Sequence, residues 1–529
     1  MNTAVRVKEP NGAWRQLSIG QAFVEASEYL KRGEDERALT MLEKVVQHAP
    51  SVPVFRYFLG IAQVRRKLYE PAITNLEKVV RSDERNVDYL VTLGEALITE
   101  RPLEAIARLA RAVQMGTKNP IAYSKLAEVL VDQRKPEEAY TICETGLAVC
   151  GPHLEILKSR GLALKVLGRS EEALACLRGI EALVPQDQGV LTNIAGALLD
   201  LNRVADARTY LERVLALDPS SASAHYNLGL ALLLEGNYKD GFREYEYRWG
   251  IRQLVPGRPV FPRPMWDGSP LNGRPILLHG EQGAGDAIQF VRYAAAVKAR
   301  GGRVILLVRQ PLMRLLSWVE GCEVAALDAP LPPHDFHCPL LSLPLVMGTD
   351  LDSIPPPARF EVPAELKQKW SEILGPKTSL RVGIVWAGSP SNRNDRNRSL
   401  PCRLFAPLLE IPDIEWFSLQ VGPPTAQLSA PELRGKIRDL APDFANTAAA
   451  ISQLDLVISV DTSVAHLAGS IGTTVWTLLS FTADWRWMLD REDTPWYPNM
   501  RLFRQKTQGD WRGVMESVAQ ALQSRPRTS

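Results

Sequence analysis

Little in this sequence is one-sided. Its 62 Lys and Arg stand against 60 Asp and Glu, a net charge of +2, so the overall field gives no reason to expect a nucleic acid or an anionic membrane as partner. No apolar run approaches the roughly 20 residues that cross a bilayer, and the opening MNTAVRVKEPNGAW lacks the apolar core of a secretory signal. The expectation is a cytoplasmic chain without a membrane span. Six cysteines (Cys143, Cys150, Cys176, Cys322, Cys338, Cys402) are scattered without a CxxC pair, which argues against a disulfide framework or zinc ribbon and predicts buried thiols.

What is present is repetition. Small residues recur at Ala26, Gly60, Gly94, Ala127, Gly161, Ala195 and Gly229, and in phase with them at Ala38, Ala72, Ala105, Ala139, Ala173, Ala207 and Gly241. The spacing is the 34-residue period of tetratricopeptide helical hairpins, in which two helices cross closely at the small positions. Segments such as LTMLEKVV, ITNLEKVV and TYLERVLAL turn an apolar stripe toward the next hairpin. About seven hairpins are expected over 15–250, stacked into an α-solenoid whose concave groove binds a protein or peptide; a spacer or a homo-oligomer contact is the other use.

The composition then changes. Eleven of the twelve tryptophans lie at Trp249 or later, and VPGRPVFPRPMWDGSPLNGRP carries six prolines, which places a linker over 251–274. Beyond it, ILLHG, the turn EQGAGDA, the helical run IQFVRYAAAVKARGG and RVILLV read as one βαβ unit. A second begins at RVGIVWAGSP and continues through EWFSLQVG, DFANTAAAISQLD and LVISV to DTSVAHLAGSIGTTVWTLLS. Two such halves, 275–375 and 376–522, imply a cleft. At the second strand's end Asp461 or Thr462 can cap a helix whose free amides, on Thr462, Ser463 and Val464, suit a diphosphate.

VISVDTSVAHLAGSIGTTVWTLL resembles the D-T-x-x-x-H-L-A motif of the ADP-heptose lipopolysaccharide heptosyltransferases, glycosyltransferase family 9, and GAGDAIQFVRYA resembles their first-domain loop. The wider layout, with repeats, WDGSPLNGR, LLHGEQGAGDAIQF, RNRS and DTSVAHLAG, is similar to bacterial tetratricopeptide-containing glycosyltransferases, flagellin-modifying enzymes among them. The resemblance implies a glycosyltransferase B fold of twin Rossmann-like halves, acceptor on the first and nucleotide-sugar on the second, with no cofactor or metal. It implies Asp286 as general base, with Glu281, Gln282, Gly283 and Gly285 on the acceptor side. It gives the donor to Arg398, Ser399, Gln420, Asp461, Thr462, Ser463, Val464 and His466, the histidine also serving in catalysis.

Each role has a plainer rival. Asp286 would also serve as a cap of the following helix, His466 as packing, and the Arg398 loop as solvated surface. Trp485 and Trp487 would stack on a base or sugar, or anchor their loop. The pair Asp350 and Asp352 has DxD spacing, and His334, Asp335, His337 and Cys338 are possible ligand types, but neither context favours a metal. The function expected is transfer of a sugar from a nucleotide-sugar to a hydroxyl of a protein recruited by the repeats, flagellin being one candidate. The alternatives are a transferase acting on lipopolysaccharide or a lipid-linked glycan, and a non-catalytic repeat scaffold with a degenerate transferase part.

Overall fold

The computed structural model describes residues 4–8, 14–251, 254, 260–390, 392, 394–440 and 443–525. Residues 252, 253 and 255–259 of the expected linker, and 391 and 393 of the basic loop, lie outside these. The chain divides into two compact units, Met1–Ala197 and Leu198–Ser529.

The first unit opens with an antiparallel hairpin, β1 (Ala4–Lys8) and β2 (Trp14–Ser18), which the repeat period does not foretell. Ser18 then starts the first helix by a capping box: its hydroxyl accepts the Gln21 N–H, and the Gln21 side chain accepts the Ser18 N–H. Helices follow in pairs: α1 (Ile19–Lys31) and α2 (Asp35–His48), α3 (Pro53–Arg65) and α4 (Tyr69–Ser82), α5 (Val87–Leu97) and α6 (Pro102–Gln114), α7 (Pro120–Asp132) and α8 (Pro136–Cys150), α9 (Leu154–Val166) and α10 (Ser170–Glu181). The small-residue series marks the tightest crossings. A methyl on Gly60 would lie 2.6 Å from Leu76, on Gly94 2.6 Å from Leu109, and on Gly161 2.9 Å from Leu177. Those leucines are fully buried, so a larger residue must push each pair apart.

α11 (Gln188–Asp200) runs across the division between the units. The second unit continues with α12 (Val204–Leu217), α13 (Ala222–Leu234), α14 (Tyr238–Tyr245) and a 3-10 turn over Glu246–Gly250. A four-stranded parallel sheet follows: β3 (Pro275–His279), β4 (Arg303–Val308), β5 (Glu323–Ala326) and β6 (Phe336–Pro339), in the order β5-β4-β3-β6. Its helices are α15 (Ala284–Phe290), α16 (Ala294–Ala299), α17 (Gln310–Leu316), α18 (Leu343–Val346) and α19 (Ala364–Leu374).

A six-stranded parallel sheet comes next, β7 (Leu380–Val385), β8 (Ile414–Ser418), β9 (Ile437–Asp439), β10 (Leu456–Val460), β11 (Thr474–Leu479) and β12 (Met500–Arg504). Its order is β12-β11-β10-β7-β8-β9, and its helices are α20 (Asp395–Arg398), α21 (Phe444–Ile451), α22 (Ser463–Ile471) and α23 (Trp511–Gln523). β10 is buried along its whole length, as its largely apolar run LVISV, with only Ser459 polar, requires of a strand covered on both faces. In each sheet the chain winds outward and then returns to the other side of its first strand. The order therefore reverses between β3 and β6, and again between β7 and β10. Loops at the carboxyl ends of such switch points leave the crevice in which α/β proteins bind ligands.

Part of the expected linker is folded. The Trp266 N–H donates to the His337 carbonyl and the His337 N–H to that of Pro264, extending the first sheet beyond β6. Trp266 and Leu271 are buried there. Tryptophan within a proline-rich stretch was the sign that this segment packs.

Candidate functional site

The site forms where the loop after β3 meets the helix after β10. α15 starts at Ala284, within the EQGAGDA segment, and packs against α22, with Gly285 at the contact: a methyl there would lie 2.9 Å from His466 Cδ2 and 3.4 Å from Ser463 Cα. Only glycine lets the two helix starts approach this closely.

Asp286, in the first turn of α15, has both carboxylate oxygens engaged. Oδ2 accepts the Gly283 N–H at 2.7 Å, so the capping role is present. Oδ1 pairs with Arg486 Nη2 at 2.6 Å. Burial raises its pKa above the usual carboxylate range, against the pull of Arg486 and the Gly283 amide. Arg486 follows β11 and also donates to Asp484 at 2.8 Å and to the Gln289 side-chain oxygen at 2.5 Å. Its guanidinium lies over the Trp485 and Phe290 rings. A third carboxylate, Asp461, is pushed up to about 6 by burial and by Asp484, with Arg398 and Arg486 opposing. The Trp487 indole is near enough to lower it a little, yet its N–H makes no hydrogen bond of ordinary geometry.

Arg398 and Ser399 reach the same place by holding their loop. Arg398 donates to the Asp461 carbonyl at 3.0 Å and pairs with Asp395, while Ser399 accepts the Gly388 N–H and donates to Asp395. Two acceptor-side residues of the turn, Gln282 and Gly283, flank Asp286; the Gln282 amide donates to the Tyr245 hydroxyl at 3.4 Å.

Several sequence expectations need correction. Glu281 is not a surface of the acceptor cleft: its side chain is 1% exposed and held by Arg248 at 3.0 and 2.9 Å. Gln420 is not open to a donor, because its carboxamide braces the ends of β7 and β8. Its oxygen accepts the Trp386 and Ala387 N–H groups, and its nitrogen donates to the Ala387 and Val421 carbonyls. Thr462 occupies the N-cap of α22 but gives no side-chain cap; its hydroxyl bonds Ser459. The amides of Thr462, Ser463 and Val464 are thereby left to other acceptors.

His466 is buried rather than open to the cleft. It stacks on Trp487, its Nδ1 bonds the Tyr497 hydroxyl at 3.1 Å, and burial with Arg486, Arg292 and Arg398 nearby holds its pKa well below normal. It is a neutral face of α22 turned against α15. Trp485 and Trp487 are likewise buried and present no face for a sugar.

Away from this site, Asp350 is taken up by the Ser353 N–H. His279 and His337 lie side by side under the Phe261 ring. Among the described residues no group of three His, Cys, Asp or Glu has the arrangement to hold a metal.

Apart from Arg398, the motifs single out no arginine, yet three are central to the core of this unit. Arg486 stands between the two tryptophans of TADWRWML, and a lone charge inside an aromatic run is a signal, since a buried guanidinium must find carboxylates or carbonyls. Arg292 breaks the expected long helix: α15 gives way to a 3-10 turn at Val291–Tyr293, where its side chain donates to the carbonyls of Gln289, Pro355 and Trp496. Arg248, fully buried in the turn after α14, bonds Glu281, Glu246, Ser342 and the Tyr245 carbonyl. Beside it Tyr238, Phe242 and Tyr245 of α14 pack on Trp485, and Trp496 donates to the Tyr238 hydroxyl. The last helical pair is thus built into the α/β core.

In the first unit the helices form a groove of about 460 Å³ lined by Ile61, Val64, Arg65, Val91, Glu95 and Lys125.

The chain is therefore a tetratricopeptide-repeat protein with a parallel α/β part. A tetratricopeptide repeat family model matches residues 192–253. Protein FlbA of Caulobacter vibrioides is 25% identical over 448 residues, 78% of this chain and 74% of that protein. That alignment is longer than the whole span from α1 to α14 and takes in much of the α/β part. The peroxisomal targeting signal receptor of Eremothecium gossypii is 25% identical over 208 residues, 38% of this chain and 36% of the receptor, so the chain spans about a third of that relative. Among solved structures, a thermophilic tetratricopeptide-repeat protein of Thermus thermophilus matches at 21% identity and a TM-score of 0.31, over 34% of this chain and 100% of its own. No helix among the described residues is long and apolar enough to cross a membrane.

Proposed function

We propose that the α/β part is a glycosyltransferase of the twin Rossmann-like kind, moving a sugar from a nucleotide-sugar to a hydroxyl of a protein held by the repeats, flagellin being a candidate acceptor. The observation that carries this reading is the meeting of two switch-point loops. The open amides at the start of α22, with Arg398 and Arg486 beside them, suit a diphosphate leaving group, and Asp286 stands opposite on α15 with a raised pKa, as a base for an alcohol requires. The wall of His466, Trp487 and Tyr497 limits water at the reacting centre.

Ser463→Pro tests the reading. Position 463 is the first of α22, where proline is tolerated, and Thr462 before it is extended (φ −141°, ψ 171°), as a residue preceding proline must be. The substitution removes one amide donor and leaves the helix. Titration calorimetry against UDP, GDP and ADP should show the wild-type protein binding at least one of them and the variant binding it about 10-fold more weakly or worse, the range for a hydrogen bond to a charged group. Equal affinity would sink the assignment.

A non-catalytic scaffold is the second reading. One observation favours it: both oxygens of Asp286 are already occupied.

A further inference from the structure

The same occupancy has another consequence, which rests on the transferase reading. Arg486 uses three of its five N–H donors, on Gln289, Asp484 and Asp286. It is the covered member of its cluster: its side chain is 7% exposed, against 21% for Asp286 and 37% for Asp484. An incoming anion therefore meets the carboxylates first and must compete with them for the guanidinium. A second feature marks the place as built for an acceptor-rich ligand. The carboxamide of Gln289, fully buried, gives its oxygen to Arg486, while its nitrogen has no hydrogen-bond partner. A buried amide donor left without an acceptor is destabilising, and a phosphate oxygen beside Arg486 would relieve it.

We propose that Arg486 is a diphosphate-binding residue for which Asp286 is the resting counter-ion: the donor's diphosphate takes over the guanidinium, and Asp286 is released as the base only once a donor is bound. A diphosphate outcompetes a single carboxylate oxygen because it carries more charge and offers bidentate geometry to the fork of arginine. In the transfer step the acceptor oxygen bonds the anomeric carbon of the sugar. The bond from that carbon to the diphosphate oxygen breaks, its electron pair leaving on the diphosphate beside Arg486. The acceptor proton passes to the freed carboxylate of Asp286. Without donor, the base stays paired.

The test is calorimetry on the full-length chain with UDP, GDP, ADP and inorganic pyrophosphate as probes. Asp286→Asn removes the competitor, so the variant should bind the preferred nucleoside diphosphate about 5- to 10-fold more tightly than wild type while losing turnover. Arg486→Gln should bind it at least 10-fold more weakly, and the double variant no more tightly than Arg486→Gln. Because Arg486→Gln strands buried carboxylates, Arg486→Lys serves as a second variant, keeping the charge and losing the fork; an intermediate loss is expected. A folded Asp286→Asn protein whose affinity is unchanged or weaker would overturn the counter-ion role while leaving the transferase reading standing. Absence of binding by the wild-type protein to every probe would overturn both.

Discussion

Replacing Arg248 by methionine keeps an unbranched, though shorter, side chain and removes the guanidinium that holds Glu281. In the structure Arg248 gives Glu281 two bonds, at 3.0 and 2.9 Å, with the arginine side chain fully buried and that of the glutamate 1% exposed. Burial already raises the Glu281 pKa despite Arg248, so the pair only partly offsets its own desolvation. Breaking such a pair costs about 3–5 kcal/mol. At roughly 2 °C per kcal/mol for a unit of this size, the melting temperature should fall by about 6–10 °C. The pH dependence has a definite sign. A carboxyl whose folded pKa lies above its unfolded value holds a proton in the native state that the unfolded chain has released, so the penalty is absent below the unfolded value and complete above the folded one. The deficit of Arg248→Met should therefore shrink as pH falls toward the ordinary glutamate range, and Arg248→Met with Glu281→Leu should recover most of it at neutral pH. Differential scanning fluorimetry across pH checks both. A pH-independent deficit that the second substitution fails to rescue would refute the stranded-charge argument.

A fragment beginning at residue 251 loses Arg248 and the aromatic face of α14, and is expected to be insoluble or unfolded; one beginning at Gln188 keeps them and should fold and retain the proposed nucleotide binding, as circular dichroism and calorimetry would show. Gly285→Ala drives a methyl to 2.9 Å from His466 and should cost about 1–3 kcal/mol in urea unfolding of the second unit together with weaker diphosphate binding. Gly94→Ala, which would bring a methyl to 2.6 Å from Leu109, should destabilise the first unit and leave that binding intact. Asp461, pushed up to about 6 from an unfolded value of about 3.9, should make stability fall as pH rises through that interval; Asp461→Asn should remove this part of the slope and raise the melting temperature at pH 7.5, and an unchanged slope would count against it.

How far the sequence carries depends on whether a property is periodic. The repeats were legible because the same steric demand, a small residue opposite Leu76, Leu109 or Leu177, recurs every 34 residues and needs no knowledge of distant contacts. The parallel strands were legible because ILLHG, RVILLV and LVISV are apolar without alternation, as strands covered on both faces must be. Motif positions such as Asp286 and Asp461 were found, but not what surrounds them. Asp286 meets Arg486 across a separation of 200 residues and Glu281 meets Arg248 across 33, and no local pattern encodes which charge will be opposite which. The same limit misplaced Glu281, Gln420 and His466: each carries a group able to bind a ligand, and in each case the fold had already spent it on a neighbour. What the sequence did contain was the other half of these pairs, an arginine set among aromatics at Arg248, Arg292 and Arg486. A guanidinium in such company cannot stay unpaired, so each of the three is an instruction that an oxygen acceptor must be brought to it from elsewhere in the chain. For Arg292 the acceptors are backbone carbonyls, and for Arg248 they include Glu281, buried in the core, and the partly exposed Glu246. Both carboxylates of Arg486, Asp286 and Asp484, are more exposed than its own side chain, so under the proposed exchange an incoming anion would meet Asp286 there, whereas Glu281, which takes two bonds from Arg248, is sealed in the core.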